Sequence, residues 1–378
     1  MPRLRSAPHR SWFLALALTA AFASPASASL ASFEQRSSKW QPIAKAPIDG
    51  RIGAGAVWTG DEMIVWGGVV RAGSIEAVGD GAAFDPLDGS WRSIRSSPPG
   101  VLGGGGQGAA WTGRRALFWA GNSPDGPAGG AVYNPRTDRW RKLSRGPLGP
   151  REGYASAWTG SELIIVGGTL GDGLARPIAA SVNPSTDRWH RLPGFGYLEG
   201  LRPSGAIWSG DQLFVGGLAY DCSQPDPCMI RPIFLSYDLA TDLVEEIDLA
   251  SAAATSFTPV GWTGSEVFGS GDDRTSVLFY DPATDQWRSG SPAPCYAGDR
   301  QVAFLGDRYV AACGRDALQI YSLASDTWEI VQAGHSPLNS REESAIAWTG
   351  SDLIIWSGVS RRSENPTPNG GKRITLIA

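Results

Sequence analysis

Arg51, Arg151 and Arg341 each stand seven residues before a tryptophan (Trp58, Trp158 and Trp348), and Arg202 and Arg300 fall nearly in the same register. A guanidinium group presents a planar fork of N–H donors that grips a carboxylate through two hydrogen bonds. Five such groups at one position of a repeating unit would surround a common centre with cations and hold an anionic ligand. The competing reading is structural, with each arginine paired to a neighbouring unit or to an adjacent acid, Glu152, Glu342 or Asp299.

Other chemistry-bearing residues are sparse. Beyond the N-terminal segment the histidines are His190, directly after Trp189, and His335. No serine–histidine pair with local motif support and no EF-hand calcium loop is present. No metal and no cofactor is expected, and no catalytic residue is assigned. Two carboxylates meeting from distant units for glycoside chemistry stay open. The four cysteines, Cys222, Cys228, Cys295 and Cys313, form an even set, which in an oxidising compartment reads as disulfides. Three pairings are possible. Cys222 and Cys228 bracket a short loop containing Pro225 and Pro227, and Cys295 with Cys313 would tie an inter-unit connection to a strand. Their spacings match no paired zinc motif.

These residues hang on a repeat. AVWTGDEMIVWGG from Ala56 returns as AAWTGRRALFWAG at Ala109, SAWTGSELIIVGG at Ser156 and AIWSGDQLFVGG at Ala206. It recurs more weakly at Val260 and Ala303 and closes as IAWTGSDLIIWSG at Ile346, seven copies in all. A second string, of the type AAFDPLDGSW, ends at Trp91, Trp140, Trp189, Trp287 and Trp328. Each unit therefore holds two short apolar runs about a tight turn, a third run, a turn of Asp, Pro and Thr, and a fourth strand opening on Trp. The second run is continuously apolar (Met63, Ile64, Val65, Trp66), as in a strand covered on both faces. Four-stranded antiparallel sheets arranged radially supply that environment, so the expected fold is an all-β propeller of seven blades. The 16 tryptophans fall at repeat positions except Trp12, and they read as packing between blades.

The spacing from a fourth-strand Trp to the next first-strand Trp is 20, 18 and 19 residues at Trp91, Trp140 and Trp189, and Trp40 to Trp58 is also 18. Trp40 is thus expected in a last blade closed by N- and C-terminal segments, which removes loose edges. Either the segment at Phe33, seven before Trp40, or Ile374 to Ile377 would supply its third strand.

Paired glycines ending the second strand (Gly67 and Gly68, Gly167 and Gly168, Gly216 and Gly217), an aromatic in the third strand and Trp in the fourth resemble the kelch repeat of bacterial secreted proteins. The resemblance covers nearly the whole chain after residue 28. It implies a galactose-oxidase-like propeller, although the two histidines and two tyrosines of that copper site are not matched by the dispersed His190 and His335, so copper oxidase activity is not expected. It also implies that inter-blade connections and second-to-third-strand connections share one partner-binding face. Those connections are long at Val69 to Gly81, Thr169 to Ile178, Leu218 to Pro232 and Val359 to Lys372, and nearly absent in the fifth and sixth units. An asymmetric cleft results, with candidate ligand contacts Arg71, Arg176, Tyr220, Asp221, Arg231, Arg361 and Arg362 beside the arginine ring.

Arg3, Arg5 and Arg10 precede the apolar stretch Trp12 to Ala23, and Ala26-Ser27-Ala28 offers a small-residue cleavage site. Residues 1–28 read as a signal peptide and 29–378 as one propeller, secreted or periplasmic. The formal charge of −4 becomes −7 once those three arginines are removed, which argues against a nucleic-acid partner. The expected protein is a monomer with no membrane insertion after cleavage. It would bind a protein, peptide or glycan, with an anionic ligand favoured by the arginines. The alternative is a sugar-active enzyme resembling the periplasmic kelch-like epimerases of sialic acid.

Overall fold

Continuous apolar runs bounded by Thr-Gly and Asp-containing turns fold as strands buried on both faces. In the computed structural model, Met63–Trp66 is wholly inaccessible to solvent, and Ala82, Ala83 and Phe84 in the next strand are at most 1% exposed. The structure describes residues 35–71, 75–104, 107–120, 129–169, 179–221, 229–273, 275–295, 303–360 and 369–376. The expected signal peptide, residues 1–28, lies outside them.

Seven blades form, each built on four antiparallel strands, and together they make a seven-bladed β-propeller. Blade 1 runs Gly55–Trp58, Met63–Trp66, Gly81–Asp85 and Ser90–Ile94. Blades 2 to 6 repeat this order along the chain. First strands of successive blades lie against one another around the centre, and the fourth strands carry the more exposed residues. Apolar clusters sit between the blades rather than within one. Trp66, Ile64 and Ala83 of blade 1 pack with Phe118, Ala131 and Tyr133 of blade 2, and Trp66, Trp119 and Trp356 are at most 1% exposed.

Two polar devices recur, the first within a blade and the second between neighbouring blades. The third-strand hydroxyls of Tyr133 and Tyr280 donate to Asp138 and Asp285 at 2.9 Å, and Tyr237 and Tyr321 do the same to Asp242 and Asp326. These turn aspartates adopt left-handed φ values of 49° to 60°, a conformation Asp tolerates better than most side chains. The fourth-strand indoles then donate across to the preceding blade: Trp91 to Ala44 O (3.0 Å), Trp189 to Ser144 O (3.0 Å), Trp287 to Asp248 O (3.1 Å) and Trp328 to Ser291 O (2.8 Å). The repeated tryptophans are therefore both apolar filler and donors to backbone that the ring brings near.

Blade 7 combines Ala345–Trp348, Asp352–Trp356 and Gly371–Thr375 with Gln41–Ile43 as its outer strand. Leu353 faces Ile374 and Pro42 faces Lys372 in register. Of the two segments that could supply the third strand, the C-terminal one does so. The stretch before Trp40 is used elsewhere, since Gln35–Ser37 adds a fifth, parallel strand beside Thr327–Gln332 of blade 6. Phe33 lies outside the described residues.

The paired glycines act in two ways. Gly67 and Gly68 have φ of 68° and 89°, and a Cβ at Gly68 would stand 2.7 Å from Ile52 O, so the chain turns there into its connection. Gly216 and Gly217 stay outside that region, and in blade 4 the strand runs on to Asp221 and returns from Met229. The stretch from Leu218 to Pro232, expected as a loop, is consequently largely ladder, with Leu218 opposite Pro232 and Tyr220 opposite Ile230.

Candidate functional site

Antiparallel up-and-down order puts inter-blade connections and second-to-third-strand connections at one end of the propeller, and the described arginines Arg51, Arg151 and Arg341 belong to that end. Arg51 is 1% exposed. Its Nε donates to Asp49 O at 3.0 Å, and one terminal nitrogen reaches Gly67 O (3.3 Å), Asp80 O (3.3 Å) and Asp80 Oδ1 (2.8 Å). Its main chain bonds Ser357 of blade 7, N–H to Oγ at 2.6 Å, so the residue bridges the seam between the first and last blades. Arg151, 3% exposed, repeats the pattern with Gly149 O (3.2 Å) and Gly167 O (2.9 Å), and burial pulls its pKa down to about 10. Arg341 donates to Ser357 O (3.2 Å) and Gly370 O (3.3 Å) and is also lowered by burial.

The shared acceptor lies 16 residues downstream in all three cases, at the end of the second strand. These arginines tie first-strand entry to second-strand exit. Both guanidinium groups, Arg51 and Arg151, are buried and donate to main-chain carbonyls near the start and end of their own blade's inner strands, and Arg51 also reaches the Asp80 carboxylate. Arg341 is only half-buried. Lys372 lies close enough for the guanidinium charge to help burial lower its pKa, and its Nζ donates to His335 O at 2.9 Å.

Arg202 differs from this set. The residue seven before Trp208 is Leu201, 1% exposed, which occupies the arginine position, while Arg202 is exposed. Its guanidinium carbon stands 5.5 Å from the Tyr220 ring centroid, and the ring also lies against Gly200, where a Cβ would meet it at 2.1 Å. Tyr220 shares a face of the extended ladder with Leu218 (41% exposed) and Ile230 (53% exposed). Deeper on the same face, Phe214 and Phe234 pack with Phe257 of blade 5. The ladder therefore overhangs blade 5, whose own connection after Gly271 is a short turn. At its foot lies an open cleft of about 440 Å³ lined by Pro232, Phe234, Glu246, Asp248, Leu249 and Thr255. Arg231 stands on the opposite face of the same strand and pairs with Glu246 at the edge of the cleft. Thr255 donates to Asp272 at 2.7 Å, and its hydroxyl holds that carboxyl below the usual range. Of the sequence-derived candidates, the wall brings Arg202 and Tyr220 into contact, while Arg231 stands on its other face.

Arg176, Arg300, Arg361, Arg362, Cys222 and Cys228 lie outside the described residues, and for Arg71 and Asp221 only the strand is described. Cys295 is disulfide-bonded to Cys313 with Cα atoms 5.3 Å apart, linking the connection before blade 6 to its second strand. Fully buried Gln319 clamps the main chain of Cys295, accepting its N–H at 3.2 Å and donating to its carbonyl at 2.9 Å. His190 is exposed on a fourth strand and His335 is exposed in a connection. Among the described residues no cluster of His, Cys, Asp and Glu is arranged to hold a metal, and no helix is long and apolar enough to cross a membrane.

No protein-family model matches the sequence, and no curated protein matches it significantly. The fold suits a binding or interaction module. The sequence reading did not find the exposed apolar residues Leu218 and Ile230. Their signal was the absence of a second glycine-driven turn, visible only once Gly216 and Gly217 are known to be extended.

Proposed function

We propose that the chain is an exported kelch-like propeller that binds a protein, peptide or glycan partner through the end carrying the connections. The observation supporting this is the overhanging ladder of blade 4. It displays Leu218, Ile230 and the Arg202–Tyr220 stack beside a 440 Å³ cleft, above blades whose connections are short. An aromatic ring packed against a glycine backbone and a guanidinium group loses little conformational entropy on contact. The exposed cation suits a partner with carboxylate groups.

The test is a melting-temperature screen of residues 29–378 against acidic sugars, neutral glycans and acidic peptides, since a ligand for the folded state alone raises the midpoint by mass action. An acidic peptide is expected to raise it, with the apparent affinity reduced at least tenfold by Arg202→Ala or Tyr220→Ala. Equal binding by both variants removes this wall as the site. Export is tested separately by the mass of the protein recovered from a bacterial periplasm, which should correspond to a chain beginning at Ser29.

A further inference from the structure

At the other end of the propeller, the turn between first and second strands carries an acid or amide in most blades, and each acid is ion-paired or hydrogen-bonded inside its own blade. In blade 1, Glu62 pairs with Arg92 at 2.6 Å. In blade 5, Glu266 pairs with Arg288 at 2.5 Å. In blade 3, Glu162 accepts the Ser181 hydroxyl at 2.5 Å, and in blade 7 Asp352 stands 3.7 Å from Arg373. Blade 6 carries the charges reversed, Arg308 at the turn and Glu329 on the fourth strand, and blade 4 has Gln212. Blade 2 alone has cations at both positions, Arg115 at the turn and Arg141 on the fourth strand, with Arg114 before them.

Arg141 is occupied across the blade boundary, donating to Pro184 O and standing 3.8 Å from Asp187. Arg114 and Arg115 are exposed. Among the described residues neither guanidinium group makes a hydrogen bond or ion pair; the contacts of Arg115 with Thr112 involve only its backbone. Both line a cleft of about 360 Å³ between blades 2 and 3, together with the half-exposed Trp158 indole, Ser161, Asn183 and Ser185. Asn183 uses its side-chain oxygen to close its own turn, at 2.9 Å to Ser185 N–H and 3.1 Å to Thr186 N–H, which leaves its NH2 group as a donor.

We infer that this cleft is a second ligand site, independent of the blade 4 wall, for a sugar ring bearing an anionic group. Two unpaired guanidinium groups side by side repel each other and gain from an anion between them. An indole beside hydroxyl and amide groups is matched by a ring with one apolar face and hydroxyls at its edge. The carboxylate of a uronic acid and the phosphate of a sugar phosphate present the same chemistry to the two arginines, and the arms of the test separate them.

The experiment is ligand-observed NMR titration of the protein with glucuronate, glucose 6-phosphate and glucose at low ionic strength. At least one anionic ligand should bind and glucose should not. Arg115→Glu restores the residue that blades 1, 3 and 5 use there, so it should leave the melting temperature unchanged while weakening the anionic ligand at least tenfold. Arg114→Ala should weaken it about threefold or more, and Arg202→Ala should have no effect. Failure of both anions to bind, equal binding by glucose, or wild-type affinity in Arg115→Glu each overturns the inference. Loss of binding in Arg202→Ala instead would assign the ligand to the blade 4 wall.

Discussion

Replacing Arg51 with Met tests whether the recurrent arginine is a structural fastener. The variant retains most of the apolar stem but removes the guanidinium group from a site only 1% exposed. The carbonyls of Gly67 and Asp80 lose a charged donor, each at a cost of about 1–3 kcal/mol where the acceptor stays dry. The Asp80 carboxylate, 41% exposed, rehydrates and adds little. Relief from burying the guanidinium charge offsets part of the loss, leaving a net destabilisation of about 3 kcal/mol. With an unfolding entropy of about 2 cal/mol/K per residue over roughly 345 residues, that lowers the melting temperature by about 4 °C in a calorimetric scan. The control is Arg202→Ala, which removes one exposed cation–π contact of under about 1 kcal/mol and about 1 °C. If Arg51→Met melts with the Arg202→Ala variant, the buried hydrogen bonds do not hold the seam and the reasoning is wrong.

Alkaline titration should destabilise the propeller between pH 10 and 12. Burial pushes the Tyr133 phenol up to about 12 and raises Tyr237, Tyr280 and Tyr321 as well, the last three helped by their turn aspartates. The folded state therefore keeps protons that the unfolded chain releases, and stability falls as pH rises through that window. Arg92 and Arg288, raised by their carboxylate partners, keep their protons in the folded and the unfolded chain throughout this window and add nothing to the loss there. Arg151, Arg341 and Lys372, lowered by burial, oppose it but are fewer. Tyrosinate absorbance that develops at pH 10, as for free phenol, would contradict this account. Converting Cys295 and Cys313 together to Ser opens a loop of 18-residue separation and should cost about 3 kcal/mol in denaturant unfolding. An unchanged midpoint would show that the bond contributes nothing to the ring.

Much of the fold was legible because each blade is a local object. The Trp-Thr-Gly turn, the apolar second run, the aromatic of the third strand and the Trp of the fourth recur within about 50 residues, and local hydrogen bonds such as Thr59 Oγ1 to Glu62 N–H (2.8 Å) follow from neighbours in the chain. Seven repeats, with Trp40 in the fourth-strand register before the first of them, also carried the need for a shared last blade. The unpaired Arg114–Arg115 step was equally visible, since the repeat is its own reference, but its meaning required knowing that Arg141 is occupied elsewhere.

Tertiary structure alone decided what the arginines do. The position of Arg51 is written in the sequence, but its acceptors include main-chain carbonyls 16 and 29 residues away, which every residue type carries, and the carboxylate of Asp80, 29 residues on. The third strand of blade 7 was likewise undetermined. The spacing from Phe33 to Trp40 imitates a strand pair, and only closure of the ring sends Gln35–Ser37 to blade 6 and Gly371–Thr375 to blade 7. Side-chain pattern determines which segments become strands and which faces they bury. Which backbones meet, and hence which charges are occupied and which stay open to a ligand, depends on how seven blades pack around one axis.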